Sequence, residues 1–376
     1  MDIYQESLIA HKTHRGKIGI NTSMPITNQH ELSIAYSPGV GEVSRQIFKN
    51  PELAKYTTIA GRCVAVISNG SAVLGLGNIG ASASLPVMEG KCALLKEFAN
   101  IDAFPIVINS SDPDEIINII TKIAPTFAGI NLEDIKAPEC FYIEETLKQT
   151  LNIPVFHDDQ HGTAIVVLAG LINASKVVNK DLDELKIVIN GAGAAGIAIG
   201  HLLHQFGVGS ITLIDSKGVI TSQSASNEYK KQIALFDNYD DAGDNLAVAI
   251  AGKDVFIGVS QPNILSPDMI NDMNDQAIVF ALANPDPEIS LAEAQKSNIA
   301  VLATGRSDYP NQVNNVLAFP GIFKGLIASG ATRVTDQNKI DAAIALAGMV
   351  DKPTKDKILP NPFEPEIADL IANSIS

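Results

Sequence analysis

Apolar and polar positions run along this chain in two rhythms. Short, nearly unbroken apolar runs, CVAVIS (63–68) and FPIVIN (104–109), predict strands covered on both faces. DPDEIINIITKIA (112–124) instead repeats its apolar residues at helical spacing and carries acids in its first turn. FAGINL (127–132) predicts another buried strand, followed by a break at Pro138 and a second helix, ECFYIEETLKQ. VFHDD (155–159) predicts a strand that ends in polar residues.

From residue 185 the alternation is cleaner. The strand LKIVIN (185–190) enters GAGAAG (191–196), a helix runs to about Phe206, and the strand ITLID (211–215) follows. DVFIGVS (254–260), AIVFALAN (277–284) and NIAVLATG (298–305) continue the rhythm. Strand and helix in turn predict an α/β protein whose second half is a doubly wound, Rossmann-like parallel sheet with right-handed crossovers. The length of 376 residues suits two domains, expected at 1–160 and 161–376. The helix GTAIVVLAGLINASKVV (162–178) is expected to bridge them, with a hinge near 158–182.

Composition narrows what such a fold can do. Hydrophobic residues make up 46% of the chain and aromatics only 5%, which leaves Ala, Val, Ile and Gly to pack the layers. A formal net charge of −15 argues against non-specific binding to nucleic acid or to an anionic membrane. An anionic substrate must therefore meet locally concentrated positive charge, from a metal, a lysine or a helix N-terminus. The start, MDIYQESLIAHKTHRGK, lacks the apolar core of a signal peptide. The most apolar long stretch, 163–174, is far below the roughly 20 residues that span a bilayer. Cys63, Cys92 and Cys140 are odd in number and show no CxxC spacing. Buried thiols in a reducing cytoplasm are expected, not disulfides or a zinc site.

GxGxxG is a weak signal alone, but here it follows an apolar strand and opens a helix. Gly191 can make the tight turn, Gly193 lets the backbone approach a pyrophosphate, and Gly196 permits close helix–strand packing. With Ala192, Ala194 and Ala195 they form a loop whose helix N-terminus offers free N–H groups to phosphate. Asp215 ends the next strand, where a carboxylate meets the adenosine ribose hydroxyls. It would repel a 2′-phosphate and so favours NAD, although Ser216 and Lys217 could accommodate NADP.

Glu133 and Asp134 follow FAGINL, and Asp158 and Asp159 follow VFH. At the carboxyl end of a strand, adjacent acids in a loop can turn toward one ion, and ligands of open α/β sheets gather at that edge. Carboxylates without cysteine suggest Mg2+ or Mn2+. His157 and His161 would share a face only on a helix, and DDQHG is expected to interrupt one, so a zinc pair is not expected.

AYSPGV (35–40), LGLGNIG (74–80), PVMEGK (86–91), INLEDIKAPEC (130–140), FHDDQHGTA (156–164), GAGAAG, ALANPDPEI (281–289) and QVNNVLAFPG (312–321) occur in one order over nearly the whole chain. That ordered set resembles the short bacterial malic enzymes. The resemblance implies an N-terminal α/β malic-type domain, which holds substrate, metal and subunit contacts, and an NAD(P)-binding Rossmann domain with C-terminal helices. It implies NAD(P)-dependent oxidation of (S)-malate to pyruvate and CO2, in a homodimer or higher even oligomer. By position, it makes Glu133, Asp134 and Asp159 the metal ligands, with Asp158 beside them. It makes Tyr36 and Lys91 the catalytic pair. Lys91, Asn284 and Asn315 would bind substrate, and Asn284 would also line the nicotinamide. Tyr36 would be able to serve a neighbouring subunit's site.

In that scheme a neutral Lys91 amine takes the C2 hydroxyl proton while hydride leaves C2, and the Tyr36 phenol protonates C3 after CO2 departs. Lys91 is expected at the start of the helical stretch CALLKEFA, near a metal and a helix N-terminus, both of which disfavour an ammonium. One feature departs from the larger eukaryotic members. They carry an arginine just before LGLG that grips the substrate carboxylate, where this chain reads Ser71, Ala72 and Val73. Arg306 is the candidate replacement. A phosphotransacetylase-like extension, present in some bacterial members, is not expected. The rival readings are a malolactic enzyme, which yields lactate without net redox change, an amino-acid dehydrogenase and a non-catalytic sensor of dinucleotide or malate.

Overall fold

The computed structural model describes residues 2–73, 75–236 and 245–375. Helices α1 (Ile3–His14), α2 (Gln29–Ala35), α3 (Val40–Lys49) and α4 (Ala54–Thr57) come first, and none contributes a buried residue. The first sheet follows: β1 (Cys63–Ser68), α5 (Ala81–Ala99), β2 (Asp102–Val107), α6 (Pro113–Ile123), β3 (Gly129–Leu132), α7 (Glu139–Thr150) and β4 (Val155–His157). All four strands are parallel, in the order β2-β1-β3-β4. β1 is buried throughout, as its unbroken apolar run requires. Pro105 falls on the edge strand β2, where a missing N–H costs least.

The long helix α8 (Asp158–Val178) leads into the second sheet. This comprises β5 (Lys186–Asn190), α9 (Ala194–Phe206), β6 (Ser210–Asp215), β7 (Gly218–Val219), α10 (Glu228–Ile233), α11 (Leu246–Ala249), β8 (Val255–Gly258), α12 (Pro267–Asn271), β9 (Ala277–Ala281), α13 (Leu291–Ala294) and β10 (Ile299–Thr304). Its order is β10-β9-β8-β5-β6-β7, parallel except for the small strand β7. In each sheet the chain leaves a starting strand in opposite directions, between β1 and β3 in the first and between β5 and β8 in the second. Such reversals open a crevice at the carboxyl edge, where ligands of doubly wound sheets bind.

Helices α14 (Phe319–Ser329), α15 (Asp336–Gly348) and α16 (Ile367–Ser374) close the chain. α14 returns to the first sheet, where Phe323 meets Phe156 of β4 edge-on at 6.0 Å. One continuous apolar core therefore joins both sheets. α8 runs through it, and Asn173 donates to Ala347 O (2.8 Å) and Ile358 O (2.9 Å). By length and composition α8 could cross a membrane, but its apolar window is 72% buried inside this fold.

Two expectations need correction. DDQHG does not interrupt a helix: it is the first turn of α8. Acids are welcome there because the exposed N–H groups of a helix start attract negative charge. Lys91 does not open a helix either, since α5 begins ten residues earlier, at Ala81 (91 − 81 = 10), and carries Pro86 and Gly90 within it.

Candidate active site

Glu133 and Asp134 emerge from β3 at the reversal of the first sheet. Asp134 sits at φ 52°, a left-handed conformation that few side-chain-bearing residues adopt, and its backbone N–H donates to Asp159 Oδ2 (2.7 Å). That contact joins the loop after β3 to the first turn of α8. One carboxylate oxygen from each of Glu133, Asp134 and Asp159 lies within 4.8 Å of the others. Asp158 stands beside them, fully buried, and its Oδ1 has no hydrogen-bond partner.

Four carboxylates meet a single ammonium here. Lys91 Nζ lies 3.0 Å from Glu133 Oε1, pairs with Asp158, and rests 4.7 Å from the centre of the Phe319 ring. Burial, partly opposed by Lys91, pushes Glu133 up to about 7 and Asp158 up to about 6. Burial drives the Lys91 amine down, but Asp158, Glu133 and Asp159 more than reverse this and hold its proton. The depressed amine expected from sequence is therefore not produced by the chain's own groups. Crowded acids and an orphaned oxygen are what a divalent cation relieves, and an all-oxygen donor set suits Mg2+ or Mn2+. The residues present fit such an ion.

Gly162, one turn into α8, has no room for a side chain. A Cβ there would collide with Asp158 Oδ1 and come within 3.1 Å of Asn315 Cβ, so Asn315 converges on the carboxylates. Asn284 follows β9. A side chain at Gly75 (φ 73°) would strike its carbonyl oxygen, and one at Gly305 would come within 3.2 Å of its Nδ2. Asn284 thus lies where a loop of the first unit meets the second.

Tyr36 is not brought to this centre within one chain. It ends α2 and is 68% exposed. Nor is Arg306 a free cation: Nε and Nη2 each reach Asp308 at 2.8 Å, and Nη1 reaches Pro285 O and Asp286. His157 and His161 do flank one helical turn, but their surroundings differ. His161 Nε2 contacts Glu144 (2.9 Å), whereas both ring nitrogens of the buried His157 have no hydrogen-bond partner.

The glycine loop stands at the reversal of the second sheet. Gly191 has φ 123°, and a Cβ on it would lie 2.6 Å from Val259 O. A Cβ on Gly196 would collide with Gly191 O, whereas one on Gly193 would face open space. Gly193 caps α9 without a side-chain bond, so Ala194 and Ala195 begin the helix with their N–H groups available to an anion. Ala192 completes the turn. Asp215, at the end of β6, accepts from Lys217 N–H (2.8 Å) and Lys230 Nζ (2.7 Å). Burial opposes its ionisation, but those two donors hold it below the usual carboxylate range. Sequence reasoning missed Lys230, because one lysine in EYKKQI looks like any solvated helix residue.

Comparison with known proteins agrees over the full length. Residues 15–148 match the family model "Malic enzyme, N-terminal domain", and residues 160–375 match "Malic enzyme, NAD binding domain". The bifunctional malic/malolactic enzyme of Bacillus subtilis is 48% identical, over 100% of this chain and 93% of its own length. The NADP-dependent malic enzyme of Haemophilus influenzae is 45% identical over 96% of this chain, which spans 50% of that longer protein. Among solved structures, the NAD-dependent malic enzyme of Thermotoga maritima superposes with a TM-score of 0.94 at 43% identity, covering 100% of this chain and 99% of that one.

Proposed function

The chain belongs to the malic enzyme family and is an oxidoreductase with an NAD(P)-binding domain; we propose that it converts (S)-malate to pyruvate and CO2 with NAD as the preferred acceptor. One observation carries this reading: Lys91 and the acids Glu133, Asp134, Asp158 and Asp159 converge at the crevice of the first sheet. Glu133, Asp134 and Asp159 would hold a divalent ion, whose charge would polarise the substrate's oxygens and offset the negative charge that keeps Lys91 protonated. Lys91 then receives the C2 hydroxyl proton. Asn315 and Asn284 orient the carboxylate and the nicotinamide. The loop Gly191–Gly196 would hold the dinucleotide that accepts hydride from C2.

Protonation of C3 falls to Tyr36, delivered by a second copy of the chain. The exposure of Ile34, Tyr36 and Phe48 on an N-terminal segment with no core of its own supports a homodimer or higher even oligomer. Asp215, at the end of β6, supports NAD because a carboxylate there would accept from the ribose hydroxyls and repel a 2′-phosphate. Lys230, once released from Asp215, is the group through which NADP would be tolerated. Three buried free cysteines are consistent with the cytoplasm.

A malolactic side reaction is the second reading, favoured by the name of the Bacillus subtilis relative. Initial rates with malate and either NAD+ or NADP+, with and without EDTA, separate these readings when pyruvate, lactate and absorbance at 340 nm are followed together. The expected result is pyruvate with reduced cofactor, abolished by EDTA and faster with NAD+. Lactate without reduced cofactor, or a rate indifferent to chelator, would overturn the assignment.

A further inference from the structure

We infer that Glu144, on α7, is a positioning residue that aims Asp158 and Asp159 by gripping the turn on which they stand. Glu144 is buried and is not one of the acids that face the metal position. Its carboxylate takes four donors. Oε1 accepts from the backbone N–H of His157 (2.9 Å) and from Lys148 Nζ (2.8 Å). Oε2 accepts from His161 Nε2 (2.9 Å) and from Gln160 Nε2 (3.4 Å). His157 precedes the pair Asp158–Asp159, and Gln160 and His161 follow it, so one carboxylate holds the ligand-bearing turn from both sides. A carboxylate only accepts, which places the ring hydrogen of His161 on Nε2.

The first turn of a helix is where the backbone is least constrained by its own hydrogen bonds. Here that freedom is removed from behind by a charge anchored in the neighbouring helix, and Lys148, one turn further along α7, keeps Glu144 oriented. Neutralising Glu144 leaves buried donors competing for a weaker acceptor, and the turn can swing its two aspartates away from Glu133 and Asp134. Groups that orient metal ligands typically change metal affinity about 10- to 100-fold when removed.

The inference rests on the reading of Glu133, Asp134 and Asp159 as metal-holding residues, and the test separates the two. Mn2+ binding to the full-length chain is titrated by the EPR signal of free Mn2+, and NADH binding by fluorescence. Glu144→Gln is expected to weaken Mn2+ about tenfold or more while NADH affinity stays within about twofold. His161→Gln, which retains a donor toward Glu144, should remain close to wild type. Should Glu144→Gln fail to fold, His161→Leu removes one donor to Glu144 and is expected to weaken Mn2+ binding while leaving NADH binding unchanged. Wild-type Mn2+ affinity in the folded variant, or equal loss of Mn2+ and NADH binding, overturns the positioning role alone. Wild-type protein that binds Mn2+ no better than Asp159→Asn takes away the metal reading and this inference together.

Discussion

At Gly162 a methyl group is enough to disturb the acid cluster around Lys91, because its Cβ would collide with Asp158 Oδ1 and crowd Asn315. Gly162→Ala keeps helix propensity and adds no polar atom, so the fold should persist while the carboxylate shifts. Displacements of about 1 Å can cost about 100-fold in rate, and a loss of that size in kcat/KM with unchanged circular dichroism is the expected outcome. A fully active variant would mean that Asp158 is free to move. Glu133, Asp134, Asp158 and Asp159 stood out in the sequence as paired acids at predicted strand ends, but only the family resemblance separated Asp159 from Asp158. Gly162 did not: its necessity comes from two side chains that only the folded chain brings together. Glu144 and Lys230 were hidden for a related reason, since their partners lie on separate elements.

Between elements, the loops after β8 and β9 are tied by Glu288. Its carboxylate is buried, with Oε1 accepting from Ser260 N–H (3.2 Å) and Oε2 from Ala283 N–H (3.0 Å). Gly258 leaves the space it fills. Burial pushes Glu288 up to about 7 despite those amides. Its unfolded value is about 4.3, so the folded state binds the extra proton between the two. Stability from this group is complete below the lower value and is lost as pH rises toward 7. The loss by pH 8 is on the order of 3 kcal/mol. Glu288→Gln cannot titrate, so relative to wild type it should gain most of that amount between pH 4.5 and pH 8 in urea unfolding. A difference that is constant with pH would contradict the account. The strands themselves were readable, because unbroken apolar runs between helical segments have few other meanings. The starts of α5 and α8 were misread through local chemistry. Pro86 and Gly90 look like breakers, yet packing of α5 on β2 and α14 overrides them, and the acids of DDQHG look like a turn although a helix start favours them.

For the whole molecule, the order of the two units was visible in the sequence, but the return of α14 to the first sheet was not. It depends on Phe323 meeting Gly129 and Phe156 across a long stretch of chain, and apolar pattern alone names no partner. The N-terminal segment poses the opposite problem, with exposed apolar residues and little to cover them. Lys17 ties it to α5, donating from Nζ to Pro86 O (2.7 Å) and from its N–H to Glu89 (3.1 Å). Tyr36 lies beyond that tether and is exposed, whereas Lys91 is buried in the same α5. If the phenol works in a neighbour's site, Tyr36→Phe and Lys91→Ala must complement each other. A hybrid dimer then holds one site with both native groups and one with neither. Unfolding and refolding an equal mixture makes about half the dimers hybrid, so about a quarter of wild-type activity should return. Two inactive parents that stay inactive when mixed, with hybrids demonstrated by mass, would place Tyr36 and Lys91 of each site in the same chain.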